Sequence, residues 1–227
     1  LPEANFIDTL IHHKLKKLHI LPSAGTDDAT FLRRASLDVI GRLPSGEETR
    51  TFLEDKAGDR RAKLVDRLLH RPEYADYWAL KWSDLLKVDR LKLGHEPAYD
   101  YYRWIHGQFA ANTPVDQFAR RLLTASGPLR ENPQAIFYKA IGNPGDRAAV
   151  ISQVFLGMRI ECAQCHHHPY DRWGQTDYWG MQAFFTQVGF KPGPTGESIR
   201  ASGSPETKHP RTGQLIFAHA LETNMPD

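Results

Sequence analysis

Cysteine is almost missing from this chain, with two in 227 residues. A disulfide-dense framework is thereby excluded, because such scaffolds need several pairs. Charge of one sign is not in excess: 29 Lys and Arg stand against 27 Asp and Glu, a formal net charge of +2, too small to argue for a nucleic-acid partner. No apolar run approaches the roughly 20 residues of a membrane-spanning helix. No signal peptide is visible and the chain begins with Leu1 rather than Met, so the expectation is a mature or trimmed piece. There is no Gly-x-Ser-x-Gly, no His-Glu-x-x-His and no phosphate-cradling glycine loop. Internal repeats and low-complexity tracts are absent as well.

What the chain does have is chemistry concentrated in nine residues, Glu161-Cys162-Ala163-Gln164-Cys165-His166-His167-His168-Pro169. Both cysteines lie here, three positions apart, with His166 directly after the second. C-x-x-C-H is the attachment signal of a c-type haem. Two thiols one turn apart reach the two vinyl edges of one porphyrin, and the adjoining imidazole supplies the proximal iron ligand. The expected cofactor is one haem c, covalently bound through Cys162 and Cys165, with His166 on the iron. Two other readings use the same residues. A zinc site would take both cysteines and two histidines. A disulfide would pair the cysteines, although thioredoxin-like motifs need a preceding strand, and the residues before Cys162 read as helix.

The opposite face of the iron decides the chemistry. His167 and His168 follow His166 too closely to wrap around the porphyrin, so His168 is expected to act from behind a ligand. His209, on a loop-rich tail free to fold back, is the favoured sixth ligand; His219, Met181, Met225 or none are the alternatives. Met181 lies among Phe184 and Phe185 and reads first as core. Two protein ligands suit electron transfer; an open position suits a peroxidase- or oxidase-type enzyme. Arg172 is the expected partner of a haem propionate, or else of Asp171 or Asp177, with Trp173, Tyr170 and Trp179 as walls or ordinary core. The redox partner is not legible. Haem c is attached outside the bacterial cytoplasmic membrane, so an exported, periplasm-like location is expected.

Around the motif the pattern is helical. Phe6, Ile7, Leu10, Ile11, Leu15 and Leu18 recur at helical spacing, against a basic side with Lys14, Lys16 and Lys17. Asp27 or Asp28 caps a second helix that Gly41 ends. Ser45 to Glu48 forms a capping box, Arg60–Leu69 continues, and Pro72 opens an aromatic helix with Tyr74, Tyr77, Trp78 and Trp82. Residues 91–96 read as a loop and 99–109 as another aromatic helix. Thr113 caps the next, with Pro114 in its first turn. Residues 135–138 fit a helical turn or a strand. Asn143-Pro144 opens a helix expected to run into Cys162, and Thr176 or Asp177 caps a last one. From Gly189 onward glycine and proline are frequent, and Ser198–Ala201 with Gln214–Ala218 suggest a small β-hairpin. The expected fold is mainly α: one domain over 1–227, a bundle-like helical body over 1–188 carrying the haem motif, and a loop-rich tail over 189–227.

The stretch from Phe155 to His166, with His168-Pro169-Tyr170-Asp171-Arg172-Trp173, Tyr178-Trp179 and Ala183-Phe184-Phe185, resembles the planctomycete-type cytochrome c family. So do Leu32-Arg33-Arg34, Leu37-Asp38, Leu43-Pro44 and the tail His209-Pro210-Arg211-Thr212-Gly213. The likeness covers nearly the whole chain. It implies an exported haem-carrying domain of uncharacterised role; His167 stands where that family more often carries an acid.

Overall fold

The computed structural model describes residues 3–194 and 196–221. They fall into two compact units, Leu1–His70 and Arg71–Asp227. The fold is mainly α, with eleven α-helices and two small antiparallel sheets among the described residues.

The first unit holds α1 (Phe6–Lys17), α2 (Asp28–Ile40), α3 (Gly46–Glu54) and α4 (Arg60–Leu69). Its boundaries follow from capping chemistry. Thr30 N–H donates to the Asp27 carboxylate at 2.7 Å, and Gly41 ends α2 with φ of 69°, where a side chain would be strained. Ser45 and Glu48 close the reciprocal capping box. Leu32, Ile40, Phe52, Leu64 and Leu68 make the core. Asp28 binds both Arg60 and Arg61, tying α2 to α4. The apolar side of α1 stays exposed.

The second unit begins with α5 (Pro72–Leu85), α6 (Arg90–Leu93), α7 (His95–Ala110) and α8 (Val115–Leu123). Residues 91–96 are not the expected loop: Asp89 caps a one-turn helix through Leu91 N–H at 2.8 Å, and Gly94, at φ of 86°, separates it from α7. Thr113 is not the cap of α8; Pro114, at φ −53° and ψ 139°, occupies that place. The aromatic residues of α5 and α7 are largely core. Trp82 stacks edge-on against Phe118 at 5.1 Å and lies 5.6 Å from Phe155, while Trp104 stacks on Phe118 at 5.2 Å. Large rings at these separations bring most of the apolar burial of a core.

A short 3-10 turn, Pro133–Ala135, leads into α9 (Ile136–Ala140), so residues 135–138 are helical. Next comes α10 (Pro144–Phe155), opened by Asn143, whose side chain accepts from Gly145 N–H at 2.7 Å. Contrary to expectation, α10 stops six residues before Glu161: Gly157 takes φ of 70° and Met158 N–H returns to the Ser152 carbonyl at 2.9 Å, the left-handed glycine termination of helices. Beneath this region Arg147 is 2 % exposed. It donates to the carbonyls of Ile141 (2.6 Å), Tyr138 (2.7 Å) and Phe185 (3.5 Å), so a cation braces helix C-terminal ends, where the dipole favours positive charge.

The last helix is α11 (Gln175–Thr186). Neither Thr176 nor Asp177 is its cap. Gly174 is, and Asp177, one turn inside, accepts from Gly174 N–H at 2.7 Å. Five short strands complete the unit: β1 (Gly127–Pro128), β2 (Val188–Gly193), β3 (Gly196–Ala201), β4 (Glu206–Lys208) and β5 (Leu215–Phe217). The tail thus carries more β structure than one hairpin, and 198–201 does not pair with 214–218. Instead β3 lies between β1 and β2, with Ile199 opposite Phe190, and β4 pairs with β5.

Candidate functional site

The motif sits on a 3-10 turn, Glu161–Gln164, between buried Ile160 and the loop leading to α11. Ala163 is fully buried. The turn is therefore anchored by its apolar positions, and Cys162 and Cys165 are left exposed as free thiols. The spacing that sequence reasoning assigned to a helical turn is kept on a tighter one.

His166 is exposed, and its Nδ1 lies 2.6 Å from the His167 carbonyl oxygen. A carbonyl only accepts, so Nδ1 carries a proton, and in the neutral ring Nε2 keeps its lone pair. This is the backbone-oriented tautomer typical of metal-ligating histidines. His167 packs on Gly174, where a Cβ would come within 3.0 Å of the ring. His168 N–H donates to the Trp173 carbonyl at 2.8 Å, and its Nδ1 accepts from Tyr170 N–H at 3.3 Å. It closes the 168–173 loop.

The Arg172 guanidinium lies over the Trp173 ring, 4.6 Å from its centroid, and the Arg172 backbone N–H donates to Asp171 Oδ1 at 2.8 Å. Trp173 is buried, and its indole N–H meets no acceptor among the described residues; the same holds for Trp179. Tyr170 is fully exposed, at 94 %, and walls nothing in this structure. Met181 is buried in the core. Met225 lies outside the described residues.

The two tail histidines differ in tautomer. His209, 8 % exposed, sits in the β4–β5 turn, and its Nδ1 accepts from the N–H groups of Arg211 (3.2 Å) and Thr212 (3.3 Å). Its proton is thus on Nε2, the nitrogen that would have to bind iron. In His219, Nδ1 lies 3.1 Å from the Phe217 carbonyl oxygen and so donates, while Nε2 faces a carboxylate. Its ring seats against Gly180 of α11, where a Cβ would fall 2.0 Å from it, and Nε2 is 3.9 Å from Asp177 Oδ1.

A polar relay connects the tail to the motif. Arg211 donates to Gln175 Oε1 at 2.5 Å, and Gln175 Nε2 donates to the Gln164 carbonyl at 3.2 Å. Beside the motif opens a cleft of about 530 Å³. Glu161, Asp146, Asp84 and Asp89 line it against Lys87 and Lys92. Next to this edge Tyr178 is buried, and its hydroxyl is pushed up to about 12, first by burial and then by the charges of Asp146, Glu161 and Cys165.

Sequence reasoning named Tyr178 without giving it a place beside the motif, and it missed Gln175 and the close approach at Gly145, where a Cβ would fall 2.5 Å from the Tyr178 hydroxyl. The available signal was glycine inside two helices, which marks a near neighbour.

Among the described residues no three His, Cys, Asp or Glu side chains are grouped to hold a metal ion, so the Cys2His2 zinc set is not assembled there. None of those residues forms a helix long and apolar enough to cross a membrane. The family model that matches residues 6–189 is PSCyt2, described as a protein of unknown function (DUF1549). The chain belongs to this family. Comparison with curated proteins and with solved structures gave no match.

Proposed function

We propose that this chain is a PSCyt2 domain that carries one covalent haem c and serves electron transfer outside the cytoplasmic membrane. One observation carries the reading: two free, exposed thiols on a single turn are followed by an imidazole whose Nδ1 is already held by a backbone carbonyl, leaving Nε2 to ligate. The donor set suits the group. Cys162 and Cys165 would form the thioethers and His166 the proximal bond. Arg172, whose guanidinium lies over Trp173, would suit a propionate. Bound haem would supply one-electron chemistry, with a potential set by the axial pair.

For the sixth position the hydrogen bonds of the two tail histidines support a different order from the one expected from sequence. His209 holds two backbone N–H groups on Nδ1, whereas His219 donates from Nδ1 to a carbonyl, which leaves Nε2, 3.9 Å from Asp177 Oδ1, as its ligating nitrogen. We therefore place His219 ahead of His209 as the second axial ligand; without it the position would be open and the enzyme reading would follow. The test is expression alongside a cytochrome c maturation apparatus. The expected product shows a Soret band that survives acid-acetone extraction and is absent in Cys162→Ala/Cys165→Ala. In the holoprotein His219→Ala should turn a low-spin ferric spectrum high-spin, and His209→Ala should not. Matured protein with no extractable-resistant Soret band refutes the proposal; a His209-dependent spectrum refutes the ligand order.

A further inference from the structure

In the first unit, α1 is turned the opposite way from an ordinary surface helix. Such a helix points its apolar stripe at the core and its polar side at water. No side chain of α1 is buried, and its half-covered positions are Asp8, His12 and Leu15. Phe6, Ile7, Leu10, Ile11 and Leu18 are each more than half exposed, and the equally open Ile20 and Leu21 extend the patch past the helix end. At 3.6 residues per turn the five helical ones share an arc of about 140°. Exposed apolar positions gathered on one face mark a surface that something else covers.

Charge is sorted on the same helix. Both carboxylates are engaged away from the arc. Glu3 accepts from Thr9 Oγ1 at 2.8 Å and lies 3.2 Å from His12 Nδ1, and Asp8 accepts from Ala4 N–H at 2.8 Å. Lys14 and Lys17 stand on the arc itself, one and two turns beyond Leu10. Neither has a carboxylate partner among the described residues. The open stripe therefore runs from Phe6 and Leu10 at one end to two unpaired cations at the other.

The residue types favour a lipid surface over a protein. Protein interfaces are enriched in Arg, Tyr and Trp and depleted in Lys; residues 3–21 hold three Lys and no Arg, Tyr or Trp. Lysine is a compact charge that needs no paired geometry, which suits a field of phosphates. Its stem can stay on apolar surface while the ammonium reaches outward. We propose that α1 lies in the interface of an anionic phospholipid membrane, with Phe6, Ile7, Leu10 and Ile11 among the acyl chains and Lys14 and Lys17 at the phosphates. The surface belongs to the first unit and does not depend on haem.

The test sediments the full chain with sucrose-loaded vesicles at about 0.1 M salt. One set holds equal phosphatidylglycerol and phosphatidylcholine, the other phosphatidylcholine alone. Partition onto the anionic vesicles is expected to be at least tenfold stronger. Lys14→Gln/Lys17→Gln should weaken it at least tenfold, since each lysine near an anionic surface is worth roughly fivefold. Phe6→Ser/Leu10→Ser, at two exposed positions, should also weaken it at least tenfold, which adsorption by charge alone would not show. Circular dichroism confirms the fold of each variant. Failure to sediment with anionic vesicles at millimolar lipid overturns the proposal, as does equal partition onto both sets. Binding that survives either folded double variant overturns it too. So does a lipid-free dimer that Phe6→Ser/Leu10→Ser abolishes, which would give the face to a second copy of the chain.

Discussion

Gly145 and Tyr178 offer the sharpest test of how α10 and α11 are packed beside the motif. A Cβ on residue 145 would fall 2.5 Å from the Tyr178 hydroxyl, about 1 Å inside normal contact. The ring cannot easily yield, because Tyr178 is 3 % exposed and meets Trp179 edge-on at 5.2 Å. Gly145→Ala therefore combines an overpacking cost of about 1–3 kcal/mol with a helix-propensity gain below about 0.5 kcal/mol, because residue 145 lies in the first turn of α10 rather than mid-helix. The net expectation is a loss of about 0.5–3 kcal/mol, or several degrees in Tm at this size. Tyr178→Phe removes the colliding atom and should itself change stability by no more than about 1 kcal/mol. In the double variant the clash is gone and the propensity gain remains, so it should be at least as stable as Tyr178→Phe alone. The pair should then show a coupling of about 1–3 kcal/mol in a double-mutant cycle measured by urea unfolding. A Gly145→Ala variant as stable as the parent, or a double variant as unstable as Gly145→Ala, would refute the packing argument.

Other outcomes follow from the same structure. Arg147→Met keeps the apolar stem but strands the two carbonyls it binds at 2.6 and 2.7 Å; the expected loss is about 2–6 kcal/mol, read as a shift of the urea midpoint. The Arg60 and then the Arg61 hydrogen bonds hold the Asp28 carboxyl below its ordinary value. A depressed carboxylate stabilises the fold above its unfolded pKa of about 4 and loses that contribution as pH falls through the lower folded value. Asp28→Asn should accordingly flatten the decline in stability below pH 4, and an unchanged acid limb would contradict the assignment. Free Cys162 and Cys165 should both react with a thiol reagent in the folded apoprotein, as exposed thiols do; two slow or masked thiols would contradict their placement.

The parts of the fold written in local chemistry were legible from sequence. Asp27, Ser45 with Glu48, Pro72, Gly41 and Asn143 each satisfy or end a helix within four residues, and all act as their types dictate. The errors fall where the deciding contact is distant or the residue type ambiguous. Gly157 reads as one more helical residue until Met158 is seen to close on Ser152, which separates α10 from the motif. Strands β3 and β5 were recognisable as extended segments, but their partners were not, because pairing over so few residues is set by tertiary packing. The same distinction holds at the site. Cys162, Cys165 and His166 are adjacent in sequence and stay together. The tautomers of His209 and His219 depend on carbonyls and amides two or three residues away in particular turns, which no periodicity reveals.

The most direct check on the central claim is the intact mass of the chain after maturation in a host that makes c-type cytochromes. The expected mass is that of the polypeptide plus one haem, reduced to the bare polypeptide in Cys162→Ala/Cys165→Ala. A bare mass for the parent chain under those conditions would contradict it.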